Sequence, residues 1–589
     1  MSPHQIYKER IVDFTAKLKA QKSRLLTFSL LRLGVFGIAV AGVYWYWSKP
    51  SISVTIGIVF CLVFVFLVKK FLELKRQKAK LSHLVTINKN EIDFLDGNTS
   101  LFKDGKAYKN GMHDFSEDID LFGNKSFFQY LNRTGIQTGE NLLAMLLKSN
   151  DISEIREKQQ AIQELSERID FRQNFTAEAY MLEDQDLVPK TIEDFEKYSN
   201  FSIPWIVQAS YIFSVISLGV IIAFGLEYLN IKQLGLWIIL GLGITGIFLK
   251  KINSLSKITS SAQEIFRQYQ KLIEAVENET FSSTHLVTQQ NKLIKETTNA
   301  SVAIQKLSRH IDALEQRQNM LVGFVLNALT LWDLRQCKRI EDWLSTYKGE
   351  IRHWFEVIDY IDAQNSFANL AFNQPDYAYP QIEENQDYIL KCSEAAHPLI
   401  NPKQIVKNSF SIREEDFLII TGANMAGKST FLRTVSLMLV MANNGLPVYA
   451  QTCTYKPIKL ITSMRTSDSL SDDSSYFYAE LSRLKIIIDK ISSDSYFIVL
   501  DEILKGTNSH DKAKGSKQFV EKLVKSKSSG IIATHDLSLC ALEESLPSVT
   551  NYYFDAEILD DELHFDYKFK KGICQNMNAS FLLKKMGIV

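Results

Sequence analysis

Two kinds of apolar pattern divide the chain. Residues 25–47, 51–68, 203–226 and 234–249 are nearly unbroken apolar runs, whereas 121–200 and 251–370 alternate apolar and charged residues at helical spacing. A run of about 20 apolar residues crosses the hydrocarbon core of a bilayer as a helix. The first two runs, joined by a Ser-Lys-Pro turn at 48–50, therefore predict a transmembrane hairpin within residues 1–80, and the other two predict a second within 201–250. The 16 residues of 234–249 are short for a span, and a buried soluble helix competes there. The alternating stretches predict a soluble helical core in two parts, 121–200 and 251–385, with long amphipathic helices such as 252–311 and 321–361. Trp332, Trp343, Trp354 and Phe355 read as core or helix-contact residues rather than a base-stacking platform. Residues 81–120 read as a linker, as does the proline- and tyrosine-containing stretch 374–380. From 386 onward the pattern changes to short apolar runs, at 417–420, 496–500 and 530–533, which predict buried strands of an α/β domain reaching to 589.

Charge adds orientation. Lys17, Lys19, Lys22 and Arg24 precede the first run; Lys69, Lys70, Lys75, Arg76, Lys78 and Lys80 follow the second; Lys250 and Lys251 follow the fourth. Basic flanks stay on the cytoplasmic side, so both hairpins are expected to keep their ends there, in a multi-pass protein of the cytoplasmic membrane. Arg32 lies near enough to a span end to snorkel. The 67 basic and 67 acidic residues balance, which gives no global electrostatic case for nucleic acid. Six scattered cysteines form no C-x-x-C pair, which argues against a zinc or disulfide framework. No cleavable secretion signal is expected at the first apolar run. Gly241-x-Gly243-x-x-Gly246 matches a dinucleotide fingerprint but sits inside an apolar run, so close helix packing is the better reading. Ser210, Ser214 and Ser217 read as a small-residue helix face.

The chemistry concentrates after residue 417. Gly422, Gly427, Lys428 and Ser429 fit the phosphate-loop pattern G-x-x-x-x-G-K-[ST], between a predicted strand and a helix-like stretch at 431–442. Backbone N–H groups and a helix N-terminus there cradle phosphates, Lys428 neutralises charge, and Ser429 offers a hydroxyl to Mg²⁺. The strand at 496–500 ends in Asp501-Glu502: an Asp can hold Mg²⁺ and the adjoining Glu can polarise water. The strand at 530–533 leads to His535, which can sense the γ-phosphate or orient water. In this order, the parts predict an ATP-hydrolysing sheet with its site at the strand C-terminal ends.

Residues 421–430, Thr-Gly-Ala-Asn-Met-Ala-Gly-Lys-Ser-Thr, resemble the T-G-P-N-M-G-G-K-S-T motif of the MutS mismatch-repair ATPase family, with alanine at 423 and 426. Residues 501–511 resemble that family's D-E-I-G-R-G-T-S-T-Y-D, residues 475–481 its S-T-F-M-V-E-M, and 533–535 its A-T-H. His397-Pro398-Leu399 and Asn408, and more weakly 131–139 and 160–165, resemble segments further upstream in the family. The resemblance implies a C-terminal ABC-type P-loop ATPase domain behind an all-α core and lever region, acting as a homodimer with ATP and Mg²⁺. It implies that Gly422, Asn424, Gly427, Lys428, Ser429 and Thr430 bind phosphate, that Ser429 and Asp501 hold the metal, and that Glu502 activates water with His535 sensing the γ-phosphate. It further implies that Ser475 reaches the nucleotide of the other subunit and that Asp511 couples the two sites near the dimer seam.

The departures shape the expected function. Nothing before residue 121 has room for the domain with which mismatch readers wedge a Phe-x-Glu motif into DNA, and the C-terminal dimerisation extension of many relatives is not expected either. Leu504 stands where the family has glycine, and Lys505 where it has arginine. The expectation is a membrane-anchored MutS-like ATPase that moves helical arms, with DNA as one candidate ligand. The alternatives are a transporter-type ATPase or an ATP-gated scaffold without a nucleic-acid role. A transporter is disfavoured because its Leu-Ser-Gly-Gly-Gln signature is absent and the apolar runs hold almost no charge.

Overall fold

The structure is a computed structural model and describes the chain except residues 184–186, 199–204, 384–386, 466–475, 506, 560–561 and 576–589. The first two apolar runs lie inside very long helices, α1 (Pro3–Trp45) and α2 (Pro50–Leu95), which pack against each other as a hairpin. Each starts with proline in its first turn, where a missing N–H costs nothing. At 1.5 Å per residue each is roughly 65–70 Å long, about twice a bilayer's hydrocarbon thickness. The hairpin thus has an apolar tip and a polar stalk. The most apolar window of each helix buries nothing against the rest of the protein, whereas Leu84, Ile87, Glu91 and Phe94 of α2 are buried. Residues 81–95, expected as linker, instead continue the helix, because this stripe at three- and four-residue spacing docks on α3 (Ile169–Ala179).

The second pair of runs forms α4 (Ile206–Gly225) and α5 (Ile231–Ile247), and α5 bends by 63° into α6 (Leu249–Glu277). Among the described residues three helices (α1, α2 and α4) are long and apolar enough to cross a membrane, and there are up to four spans if the bent α5–α6 pair counts as one. The serines of α4 do more than provide a small face. Arg335 donates to the Ser210 and Ser214 hydroxyls at 3.1 and 2.7 Å, and the Trp237 indole donates to Ser217 at 2.8 Å.

The helix expected over 252–311 is broken. After α6 the segment Asn278–Ser283 is rich in side chains that compete for backbone hydrogen bonds. The chain reverses there, and α7 (Ala300–Glu315) returns along α6, burying Ile304, Leu307 and Ile311 in one core with Ile265, Phe266 and Leu272. The helix expected over 321–361 also divides, into α8 (Met320–Thr330), α9 (Trp332–Tyr347) and α10 (Ile351–Asn373). The first break is at Leu331, which takes a left-handed φ of 51°. Trp343, Trp354 and Phe355 belong to the same buried core, and the Trp332 indole donates to the Ala313 carbonyl at 2.7 Å.

The end of α10 enters the C-terminal domain, where Ala363, Phe367 and Leu370 share a core with Phe431, Leu432 and Val435. Among its described residues that domain has two large sheets and a separate two-stranded hairpin, Ala556–Leu559 with Glu562–Phe565. Strands β1 (Gln381–Ile382), β2 (Tyr388–Ala395), β3 (Asn408–Arg413) and the later β5 (Thr452–Tyr455) make a four-stranded sheet; β4 (Phe417–Gly422) starts the six-stranded one. After β5 come β6 (Lys459–Ser463), β7 (Tyr496–Asp501), β8 (Ser529–Ala533), β9 (Val549–Phe554) and β10 (Lys570–Lys571). The six-stranded order is β10-β9-β4-β8-β7-β6, all parallel except β10. All six residues of β4 are buried, as a central parallel strand with both faces covered requires. Helices α11 (Lys428–Asn443), α12 (Tyr476–Ile491) and α13 (Ser509–Lys525) complete the domain, and α11 begins at the loop lysine itself.

Candidate functional site

Register brings the predicted residues together. Ala533 of β8 pairs with both Ile420 of β4 and Asp501 of β7, so three parallel strands end at one edge. Two further bonds knit that edge: Glu502 N–H to the Ala533 carbonyl and Thr534 N–H to the Ile420 carbonyl, both 2.9 Å. The 422–430 loop leaves β4 at the same edge and turns into α11. Its tightness needs glycine at 422: φ is 149°, and a Cβ there would lie 2.6 Å from the Phe554 carbonyl oxygen.

A cavity of about 460 Å³ lies over this edge, lined by Asn424, Gly427, Lys428, Ser429, Thr430, Asp501, Glu502, Lys505, His535 and others. The Lys428 ammonium is buried and donates to the Gly422 and Ala423 carbonyls at 2.8 and 3.0 Å. Burial lowers its pKa, against the pull of Asp501 and Glu502. The Ser429 hydroxyl donates to Asp501 at 2.7 Å. His535 Nε2 lies 3.2 Å from Lys428 Nζ and 3.5 Å from Glu502 Oε1. Burial, then the Lys428 charge, lowers the His535 pKa. A cation, a hydroxyl–carboxylate pair and a second carboxylate thus converge beside a helix N-terminus. This donor set fits a polyphosphate with a divalent cation.

Of the described residues predicted for the site, Gly422 and Asp511 do not line this cavity. Ser475 lies outside the described residues. Asp511 is exposed in the first turn of α13, where its N–H and carboxylate engage Asn508 at 2.9 and 2.8 Å.

Three features escaped sequence reasoning. Buried Glu480 accepts the N–H groups of Leu504, at 2.5 Å, and Lys505, at 3.1 Å. Leu504 has a left-handed φ of 61°, a conformation that favours glycine, and Glu480 holds the strained turn just after Glu502. The glutamate within 475–481 was its only sequence signal. Tyr567 lines the cavity and also a second one of about 500 Å³, walled by His397, Ile400, Phe410, Phe431 and others and sharing Gly427 and Thr430 with the first. Finally, Asp118, in the expected linker, accepts from Thr462 Oγ1 and from the N–H groups of Met464 and Arg465 at 2.5–3.1 Å, and Asp120 pairs with the Arg465 guanidinium.

His397 gives a pH signature. Its Nδ1 accepts the Leu399 N–H at 3.3 Å, and burial, with Arg433 nearby, pushes its pKa down to about 4. Protonation therefore favours the unfolded chain. The neutral ring's contribution is complete above pH 6.5 and is lost as pH falls toward 4, by up to roughly 3 kcal/mol. His397→Asn, which keeps an acceptor, should narrow the drop in melting temperature between pH 7 and pH 5. An unchanged drop contradicts this assignment.

Comparison with known proteins identifies the domain. Residues 418–584 match the family model of MutS domain V. This C-terminal domain belongs to the MutS family. It is 32% identical to a DNA mismatch repair protein MutS of Clostridium botulinum (strain Eklund 17B / Type B) over 244 residues, 40% of this chain and 25% of the relative. It is 28% identical to MutS of Staphylococcus aureus (strain MRSA252) over 276 residues, 44% of this chain and 30% of that protein. Identity to human MutS protein homolog 4 is 29% over 234 residues, 38% of this chain and 24% of that protein. The chain thus spans between about a quarter and a third of the length of these curated relatives.

Proposed function

We propose that this MutS-family chain is a membrane-anchored ATPase that pairs with a second copy through its C-terminal domain and turns ATP hydrolysis into movement of its helical arms. The observation that carries this reading is the convergence of Lys428, Ser429, Asp501, Glu502 and His535 on one cavity at the end of a parallel sheet. ATP with Mg²⁺ would supply the electrophilic γ-phosphorus and the metal's charge neutralisation. Gly422, Asn424, Gly427 and Thr430 belong to the loop that binds the phosphates, and Lys428 exchanges its carbonyl partners for phosphate oxygens. Ser429 and Asp501 hold the metal. Glu502 orients and deprotonates the attacking water, and His535, freed from Lys428, reads the γ-phosphate. The adjoining cavity around His397 and Tyr567 takes the nucleoside. Ser475 of the partner subunit completes the site, and Asp511 couples the two sites across the seam.

The membrane reading is supported by the apolar tip of the α1–α2 hairpin, by α4 and by the α5–α6 pair, and the basic flanks favour a cytoplasmic ATPase domain. DNA is the ligand that the family name proposes for the arms; an ATP-driven scaffold is the reading without it. Purified protein in detergent should bind a fluorescent ATP analogue, and Lys428→Ala should abolish that binding; retained binding would contradict the site. For DNA, affinity for matched and mismatched duplexes should fall with salt, and duplex should change the ATPase rate. No binding at low salt would leave the scaffold.

A further inference from the structure

Helix α8 (Met320–Thr330) contains no charged residue and has two unlike faces. Outward, Met320, Leu321, Phe324 and Val325 are 85, 79, 49 and 51% exposed. Inward, α8 packs on α4 and α5. The contact with α5 is backbone to backbone: a Cβ on Gly241 would lie 2.3 Å from the Ala328 carbonyl oxygen. Gly243 and Gly246, the other glycines of that run, face open space.

The polar groups near α8 gather at its ends or turn inward. Arg317 and buried Asp333 pair at 3.2 Å just outside the helix. Asn327, its only buried polar side chain, donates to the Gly323 carbonyl and accepts the Asp333 N–H, both at 3.0 Å. The outward face is left wholly apolar. It adjoins surfaces of the same character on α4 and α5, where Val215, Leu236 and Ile239 are 72, 68 and 66% exposed.

Depth follows from the contact. Gly241 lies six residues before the end of α5 at Ile247, about 9 Å along the helix. The α8 contact therefore falls within the apolar stretch of α5, not beyond its end. With 11 residues α8 is about 16 Å long, roughly half the hydrocarbon thickness of a bilayer.

We propose that α8 is a membrane element: a half-span whose outward face sits among the acyl chains of the leaflet nearest the helical core. The proposal rests on the reading of α4 and α5 as membrane spans. The occupant is lipid because the exposed face continues the apolar surfaces of those helices at the same depth, while the Arg317–Asp333 pair and the Arg335 guanidinium, which donates to the Thr330 carbonyl, lie at the helix ends. Since α7, across the short turn Gln316–Gln318, and α9 flank α8, movement of these helices would bear on the leaflet.

The test uses full-length protein in vesicles of phosphatidylcholine and phosphatidylglycerol. Cys61 is exposed and the other five cysteines are buried, so a Cys61→Ser background directs native-state labelling to an introduced cysteine. An environment-sensitive fluorophore is placed at Leu321→Cys or Phe324→Cys, two independent positions in case one disturbs folding, with Leu240→Cys of α5 as the span reference. The expected result is quenching at 321 and 324 by nitroxide-bearing acyl chains, as at 240, with shielding from aqueous iodide. Iodide quenching without lipid quenching at 321 and 324, while 240 responds to lipid, would overturn the α8 proposal alone. Shielding from both quenchers at 321 and 324 would also overturn it, in favour of a protein cover; self-crosslinking of Leu321→Cys would identify that cover as a second copy. Loss of lipid quenching at 240 as well would overturn the membrane reading of α5 itself.

Discussion

Glu502→Gln leaves ATP binding in place and lowers turnover by about 10²–10⁴-fold, the usual contribution of a positioned general base. The substitution keeps size and hydrogen-bonding shape while removing the carboxylate. The Glu502 backbone is held by the Ala533 carbonyl, and Glu480 holds the turn that follows, so the fold at the sheet edge should persist. Lys428 and the Ser429–Asp501 pair, to which the proposed site assigns phosphate and metal, are untouched. Nucleotide affinity should thus stay close to that of the parent while steady-state phosphate release collapses. Equal losses of binding and turnover would mean that Glu502 supports the loop rather than the water. Unchanged turnover would remove it from the chemistry altogether.

Arg133→Ala is the substitution with the largest expected effect on stability. The Arg133 guanidinium meets Glu91 of α2 at 2.5 Å, with both side chains almost fully buried, and donates to the Tyr130 and Asn132 carbonyls at 3.2 and 3.0 Å. It also lies 3.5 Å above the Phe102 ring. Glu91 accepts one more bond, from Asn373 at the end of α10, and Asn373 in turn accepts from Tyr7 of α1 at 2.8 Å. Removing the guanidinium leaves a carboxylate buried at the junction of the stalk, the helical core and α10. An uncompensated buried charge of this kind costs about 3–5 kcal/mol. The expected results are a lowered melting temperature and protease sensitivity of the stalk at α2. Because the cost is that of a stranded charge, Glu91→Leu combined with Arg133→Met should recover much of the loss. A double variant as unstable as Arg133→Ala would assign the effect to packing instead.

The residues of the candidate site were legible because each signal is local. The glycine loop, the Asp-Glu pair and His535 each follow a short apolar run, and a parallel sheet aligns the ends of such runs without further instruction. Period and length likewise revealed the long helices. What the sequence concealed was where helices break and what meets across distance. The turn at Leu331 depends on a left-handed residue that carries no glycine or proline signal. Glu91 and Arg133 are ordinary charges until α2 docks on the core, and Asp118 gives no hint that it will grip the strand end at 462–465. Leu504 shows the same limit from the other side. It departs from the family's glycine, yet the structure keeps the left-handed turn and secures it with Glu480.

The central claim is that each ATP site is built by two copies of the chain, and subunit complementation tests it most directly. Lys428→Ala disables a chain's own phosphate loop, and Ser475→Ala disables what it offers its partner. Each variant alone should be inactive. Mixed in detergent and returned to vesicles, they form some heterodimers in which one site has both an intact loop and an intact partner serine. ATPase activity should therefore reappear on mixing. A Ser475→Ala protein that turns over normally alone, or a mixture as inactive as its components, would contradict a shared site.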